Sequence, residues 1–219
     1  DGVGKIINEL KNLELFDNTI IIYTSDHGFS LGNHGIWGHG MAAWPSSIHR
    51  PSFNIPLIFS GPGVKEGKSN ALVSQLDLAN TILSLTKSSK LEGERVDSLS
   101  LVLSNESHKN RDKVFMEQEE SRAVRTKKWL FINRFNREGM DWLSSELYDL
   151  EKDPDERNNL SDEKKFIQII QMLNKDLMEY FEKHSDPSYD LWRGGSAKSN
   201  VSNPKFWKEA WGPDWKTTF

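Results

Sequence analysis

Cysteine is absent from all 219 residues, which excludes disulfides, thiolate metal sites and a cysteine nucleophile within the chain. No apolar run reaches the roughly eighteen residues that a membrane-spanning helix needs. A basic excess is missing too: 28 Lys and Arg stand against 32 Asp and Glu, for a formal net charge of -4. The chain therefore has no electrostatic footprint for nucleic acid, and an anionic ligand would have to be held by local cations or a metal. What is present is ordinary for a globular protein, with 36% hydrophobic and 27% charged residues. The length suffices for one large domain or two small ones, and no internal repeat occurs.

The stretch from Thr19 to Gly40, TIIIYTSDHGFSLGNHGIWGHG, organises the rest. Ile20 to Tyr23 form a β-branched and aromatic run of the kind expected in a strand buried on both faces. The strand ends at Ser25, Asp26, His27 and Gly28. In open α/β sheets ligands collect beyond the carboxyl ends of strands, so an Asp-His pair there is aimed at a ligand. A carboxylate beside an imidazole suits a divalent metal and its bound anion. The loop that follows adds His34 and His39 among glycines that let the backbone approach a ligand closely.

Upstream, Asp1 can cap a helix with Val3, Ile6, Ile7, Leu10 and Leu13 at amphipathic spacing. The chain thus reads as opening in mid-domain, and the lack of a signal peptide is uninformative. Downstream, Ala42 to Arg50 allows a helical turn that Pro51 should interrupt. Leu57 to Phe59 reads as a second buried strand, stopped by Gly61, Pro62 and Gly63. Ser74 and Asp77 resemble a capping box before a helix with Leu76, Ala79, Ile82, Leu83 and Leu85. Lys87 to Glu94 reads as a loop and Val96 to Leu103 as a weak element. Strands are then expected at Val114 to Met116, at Arg122 to Thr126 with Trp129 to Asn133 as a hairpin, and at Glu146 to Leu150. A helix capped by Ser161 should carry Phe166, Ile169, Ile170, Leu173, Leu177 and Phe181. The pattern is α/β over residues 1–104 and an antiparallel α+β subdomain over 105–184. A tail, 185–219, carries Trp192, Trp207, Trp211 and Trp215. Such exposed indoles suggest a surface to be covered, by the chain's own domain or by a second copy in a homo-oligomer.

Three segments together resemble the sulfatases of the alkaline phosphatase superfamily. These are TSDHG followed by GNHGIWGH, then NIPLIFSGPG from Asn54 to Gly63, then ELYDLEKDPDERNNL from Glu146 to Leu160. The resemblance implies an alkaline-phosphatase-like α/β sandwich with a smaller C-terminal α+β subdomain. It also implies Ca²⁺ or Mg²⁺ held by Asp26 and His27, a sulfated small molecule or glycan as substrate, and a periplasmic or secreted setting. Most sulfatases carry lysine where this chain has His39. A histidine there holds the sulfate when protonated, or acts as a neutral donor or general acid with strong pH dependence. His27 either ligates the metal or hydrogen-bonds the anion. Arg50 recognises substrate charge or makes a surface salt bridge. His34 reads as a supporting residue, and Trp37 and Trp44 as packing or pocket walls. The C-terminal signature reads as diagnostic of the family.

The same resemblance points to what these residues lack. Such sulfatases make a formylglycine nucleophile from a C/S-x-P-x-R motif, which occurs nowhere in this sequence. Their paired N-terminal aspartates are also missing. The chain reads as the C-terminal portion of a sulfatase, expected to be inactive alone. Two alternatives remain: a phosphodiesterase or phosphonate monoester hydrolase of the same superfamily, or a non-catalytic homologue acting as a binding or assembly piece.

Overall fold

The computed structural model describes residues 1–40, 46–89, 111–118, 120–135, 144–195 and 212. Two compact units emerge, Asp1–Asp26 with Pro56–Arg111, and His27–Ile55 with Asp112–Phe219. Trp44, the Val96 to Leu103 element and the tail tryptophans beyond Trp192 lie outside the described residues, as do the first four residues, Ala42 to Pro45, of the Ala42 to Arg50 turn and the end of the Lys87 to Glu94 loop.

The first unit begins with helix α1, Gly2–Asn12. Of its apolar stripe, Val3, Ile6 and Leu13 are exposed, while Ile7 and Leu10 are half-buried. Strand β1, Ile21–Thr24, pairs antiparallel with strand β4, Leu57–Ser60, with Ile21 opposite Ser60 and Thr24 opposite Leu57. One expectation is corrected here. The strands are not buried on both faces, since Tyr23 and Ile58 are exposed: a sheet face is buried only where another layer covers it, and no described element covers this one. Because the pairing is antiparallel, β1 runs toward Asp26 while the carboxyl end of β4 lies beside the start of β1. There Gly61 is obligatory, because a Cβ would sit 2.4 Å from the Thr19 carbonyl oxygen.

Helix α3, Asp77–Leu85, starts much as the Ser74/Asp77 pattern predicts. The Ser74 amide donates to the Asp77 carboxylate at 2.8 Å, and the Ser74 hydroxyl accepts from the Leu76 amide at 3.3 Å. Arg111 donates to both Asp77 oxygens, at 2.9 and 2.7 Å. Asp77 is thus a buried carboxylate whose charge is fully paired.

In the second unit a short hairpin of β2, Ser30–Leu31, and β3, Trp37–Gly38, precedes helix α2, Arg50–Phe53. Pro51 lies inside the first turn of α2 and does not interrupt it, because an N-terminal helical position requires no amide hydrogen. The larger part is an antiparallel meander in the order β5–β6–β7–β8, spanning Val114–Gln118, Ser121–Arg125, Trp129–Arg134 and Glu146–Asp149. Alternation along these strands makes two apolar faces. Val124, Phe131 and Leu147 meet Leu173, Leu177 and Phe181 of helix α4, Ile167–His184. Ala123, Leu130, Ile132 and Tyr148 face the other way, against Ile48 and Phe53. The segment from Ser46 to Phe53 therefore covers one side of the sheet as α4 covers the other. Helix α4 begins later than a Ser161 cap would allow. The Leu160 amide bonds the Leu147 carbonyl at 2.8 Å, and a turn closed by the Glu163 amide on the Leu160 carbonyl at 3.1 Å follows before a single 3₁₀ turn, Lys164–Phe166, leads into the helix.

Candidate active site

Strand β1 delivers Asp26 to its own end. The Ser25 hydroxyl approaches the Asp26 carboxylate at 3.4 Å, and Gln75 donates to the Ser25 carbonyl at 2.6 Å. The next residue, His27, sets its Nδ1 2.8 Å from the Gly28 carbonyl oxygen. A carbonyl only accepts, so Nδ1 carries the hydrogen and the neutral ring presents Nε2 as its lone-pair nitrogen. A backbone carbonyl orienting the far nitrogen is the usual support for a metal-ligating imidazole. The residues thus fit a divalent cation: an exposed carboxylate next in sequence to an exposed imidazole whose tautomer is set for ligation.

The β2–β3 hairpin folds the loop back on itself, with Ser30 opposite Gly38. His39 thereby stacks on His27, ring centroids 3.8 Å apart and planes 20° from parallel, with Phe29 tilted against it at 6.1 Å. The structure brings these two predicted site residues together. His34 goes elsewhere. It has the left-handed backbone conformation, φ 54, and its ring stacks on His49 at 3.9 Å. Arg50 is exposed on α2, with its guanidinium 3.5 Å from the Pro154 carbonyl. Trp37 is largely exposed and packs no core.

Behind His34 lies a buried polar cluster. His49 Nδ1 is 3.2 Å from Glu156, and its Nε2 is 3.5 Å from Glu146. Glu156 also accepts from the Arg50 amide at 2.8 Å and from Arg125 at 3.2 Å. Glu146 accepts from Arg134 at 2.6 Å and from the Tyr148 hydroxyl at 2.6 Å. Burial pushes both carboxyls up, but Arg134 and His49 outweigh it at Glu146, and the bonds from His49 and the Arg50 amide outweigh it at Glu156, so both lie below the usual carboxylate range. Burial and the neighbouring carboxylate push the Tyr148 hydroxyl far up. Partial burial, then repulsion by His49, holds His34 below the ordinary imidazole range. Donor atoms of His34, His49 and Glu156 lie within 4.8 Å of one another. The two rings are nearly parallel, 11° apart, so their in-plane lone pairs run side by side and do not converge on one ion. The cluster is better suited to hydrogen bonding than to chelation.

A family profile described as "Sulfatase" matches residues 1–88, and one described as "N-sulphoglucosamine sulphohydrolase, C-terminal" matches residues 45–183. The chain belongs to the sulfatase family. It is 30% identical over 198 residues to the uncharacterized sulfatase YidJ of Escherichia coli, covering 85% of this chain and 37% of that protein. It is 29% identical to an N-acetylglucosamine-6-O-sulfatase of Bacteroides thetaiotaomicron, covering 85% of this chain and 35% of the relative. Among solved structures, a putative sulfatase from Bacteroides thetaiotaomicron superimposes with a TM-score of 0.74 at 27% identity, covering 92% of this chain and 44% of that one. A phosphonate monoester hydrolase of Agrobacterium radiobacter shares the fold, with a TM-score of 0.69 at 21% identity, covering 83% and 38%. The chain spans less than half the length of these relatives. Its architecture is that of the alkaline-phosphatase-like sulfatases, with mixed α/β structure, antiparallel sheets and a C-terminal helix.

Within this sulfatase fold, sequence reasoning missed the cluster around His49. Glu146 and Glu156 stand in the ELYDLEKDPDERNNL signature, read from sequence only as a family marker. The available signal was composition: a charge-rich segment with Tyr148 and Leu150 alternating as a buried strand should leave some carboxylates buried and in need of partners. Which cations would meet them, more than a hundred residues earlier in the case of His49, no local pattern states.

Proposed function

We propose that the polypeptide carrying these residues hydrolyses a sulfate ester, and that this chain supplies its metal-binding and leaving-group side. The reading rests above all on the stack of His39 on His27. Asp26, through a carboxylate oxygen, and His27, through Nε2, are the chain's ligands for Ca²⁺ or Mg²⁺. A divalent cation there supplies positive charge to an anionic ester and its departing oxygen. His39 donates a hydrogen bond to the sulfate or the proton that the leaving alcohol takes. Arg50 offers a guanidinium to negative charge on the substrate. The nucleophile, a formylglycine, comes from outside these residues, so the isolated chain turns over nothing. The name of the N-acetylglucosamine-6-O-sulfatase relative supports a sulfated sugar or glycan as substrate.

The test is sulfate release from 4-methylumbelliferyl sulfate and from N-acetylglucosamine 6-sulfate by the longer polypeptide, with a phosphonate monoester offered in parallel. His39→Ala should lower kcat/KM by about 10²- to 10⁴-fold, the range for a lost general acid. Faster cleavage of the phosphonate, with stoichiometric zinc or manganese, would favour the second reading. That reading is supported by the phosphonate monoester hydrolase fold and by histidine at position 39.

A further inference from the structure

The structure gives the C-terminal signature a task beyond marking the family. We infer that Glu156 and His49 are positioning residues for His27, acting through helix α2; the inference rests on the reading of His27 as a site residue. Three observations carry it, all within the second unit.

The first is the state of Glu156 itself. It is 1% exposed and has a left-handed backbone, φ 57. A buried carboxylate is costly unless every oxygen is satisfied, and a non-glycine residue in this region persists only when its surroundings over-determine it. The surroundings do so: Arg125 holds one oxygen, and His49 Nδ1 and the Arg50 amide converge on the other. Strain maintained at this level points to a role, since a glycine would adopt the same turn without it.

The second is the dependence of α2 on that carboxylate. Four residues make one turn, far too little to be stable alone. Its first amide, of Arg50, is bonded to Glu156, and its flanking residue His49 lies between Glu156 and Glu146. Ile48 and Phe53 anchor the same segment on the sheet. The apolar anchors fix its depth, while the directional bonds from Glu156 fix its rotation and register.

The third is the contact between α2 and the site. The Gly28 amide donates to the Ser52 carbonyl at 2.9 Å. A Cβ on Gly28 would lie 2.0 Å from the Pro51 carbonyl oxygen, so the two backbones touch with no side chain between them. A contact this close cannot absorb a displacement of α2 without moving Gly28, whose carbonyl sets the His27 tautomer. The path therefore runs from Glu156 to the Arg50 amide, through α2 to Ser52, and across to Gly28 and the His27 ring. A separate arm serves His39: Glu120 accepts from the Ser46 amide and hydroxyl at 2.7 and 3.0 Å, and the Ser47 amide bonds the Gly40 carbonyl at 3.1 Å. The two arms predict that loss of Glu156 disturbs the His27 side selectively.

The experiment compares the wild-type polypeptide with Glu156→Gln and, separately, His49→Gln, each by amide exchange and by the imidazole ¹⁵N signals of His27. Exchange at Gly28 should rise about tenfold, the scale of one net hydrogen bond, and the His27 signals should move, while the Leu130 and Ile132 amides keep their protection. With 4-methylumbelliferyl sulfate, kcat should fall about 10- to 100-fold, as for other groups that orient metal ligands, with KM little changed. Unchanged Gly28 exchange in both variants overturns the inference. So does an equal loss of protection at Gly28, Leu130 and Ile132, which would make the cluster a general support of the fold. If the wild type releases no sulfate from any ester while Gly28 still responds, the proposed reaction fails and the positioning path stands.

Discussion

The two units differ in what they bury: one buries apolar and polar side chains together, and the other, among the described residues, only polar ones. In the unit formed by His27–Ile55 and Asp112–Phe219, an apolar layer lies on each face of the meander, and every buried hydrophobic residue among the described positions belongs here. In the unit formed by Asp1–Asp26 and Pro56–Arg111, the buried residues among the described positions are Asp77, Asn80 and Thr81, while Ile6, Leu13, Tyr23 and Ile58 are exposed. One unit combines burial of apolar area, a non-directional force proportional to surface, with buried directional networks such as that of His49, Glu146 and Glu156. The other is held by directional pins, with its apolar stripes uncovered among the described residues. The difference bears on the site. His27 and His39, on the loop, and Arg50, on α2, belong to the unit with the apolar core, so their placement draws on the more strongly packed of the two.

The largest effect that would test this contrast is a cavity in the meander. Phe131 is 1% exposed against Leu173 and Leu177, and Phe131→Ala should cost about 3–5 kcal/mol, read as a lowered urea midpoint. A cost below about 1 kcal/mol would mean that this core is loosely packed and that the contrast is wrong. In the other unit the comparable site is polar. Asp77→Ala removes the carboxylate that the Arg111 guanidinium and the Ser74 amide both bond. Loss of a fully buried pair costs about 3–5 kcal/mol, and because Arg111 is partly exposed the expected loss is about 2 kcal/mol.

Much of this was legible in the sequence, for reasons that also mark where legibility ends. Alternation in Arg122 to Asn133 gave the hairpin, and the three- and four-residue spacing from Phe166 to Phe181 gave α4, because both patterns are local and periodic. Asp26, His27 and His39 stood out as candidates because strand end, turn and glycine-rich loop are contiguous in the sequence. Burial of β1 was misread, since a strand's composition does not state whether a layer exists to cover it. Pro51 was misread because the same residue ends one helix and begins another, and only its register decides. The Glu156 cluster was out of reach: its bonds to His49 and Arg50 join residues more than a hundred positions apart.

A smaller effect concerns acid. His34 in the folded protein lies below the ordinary value of 6.5, through partial burial first and then repulsion by His49, against the attraction of Glu156 and Glu146 and with Arg157 adding repulsion. Below pH 6.5 the unfolded chain therefore binds more protons than the folded one, and stability falls as pH falls. Glu146 and Glu156, held below the usual carboxylate range, contribute stability that is present above about pH 4.5 and lost as pH drops through their folded values. The two windows are separable. His34→Gln should flatten the decline of the urea midpoint just below pH 6.5 and leave the later decline in place. An unchanged upper slope would remove the His34–His49 stack from the account of acid sensitivity.

The smallest expected effect is the one most able to sharpen the contrast. Ile6 is 63% exposed on α1, and a surface substitution of this kind is usually within about 0.5 kcal/mol of neutral. Ile6→Ser in the 219-residue chain should therefore leave the urea midpoint where it was. Full burial of an isoleucine side chain contributes about 1.5–3 kcal/mol, so the same substitution in the longer polypeptide measures directly whether another layer covers the α1 stripe. A loss of that size there, with none in the shorter chain, would show that the first unit's apolar face is completed by residues outside these 219. The unit would then be pinned by Asp77 and buried only in that larger setting. Near-zero loss in both would make the exposed stripe a property of the working protein, and the contrast between the units would be intrinsic to them.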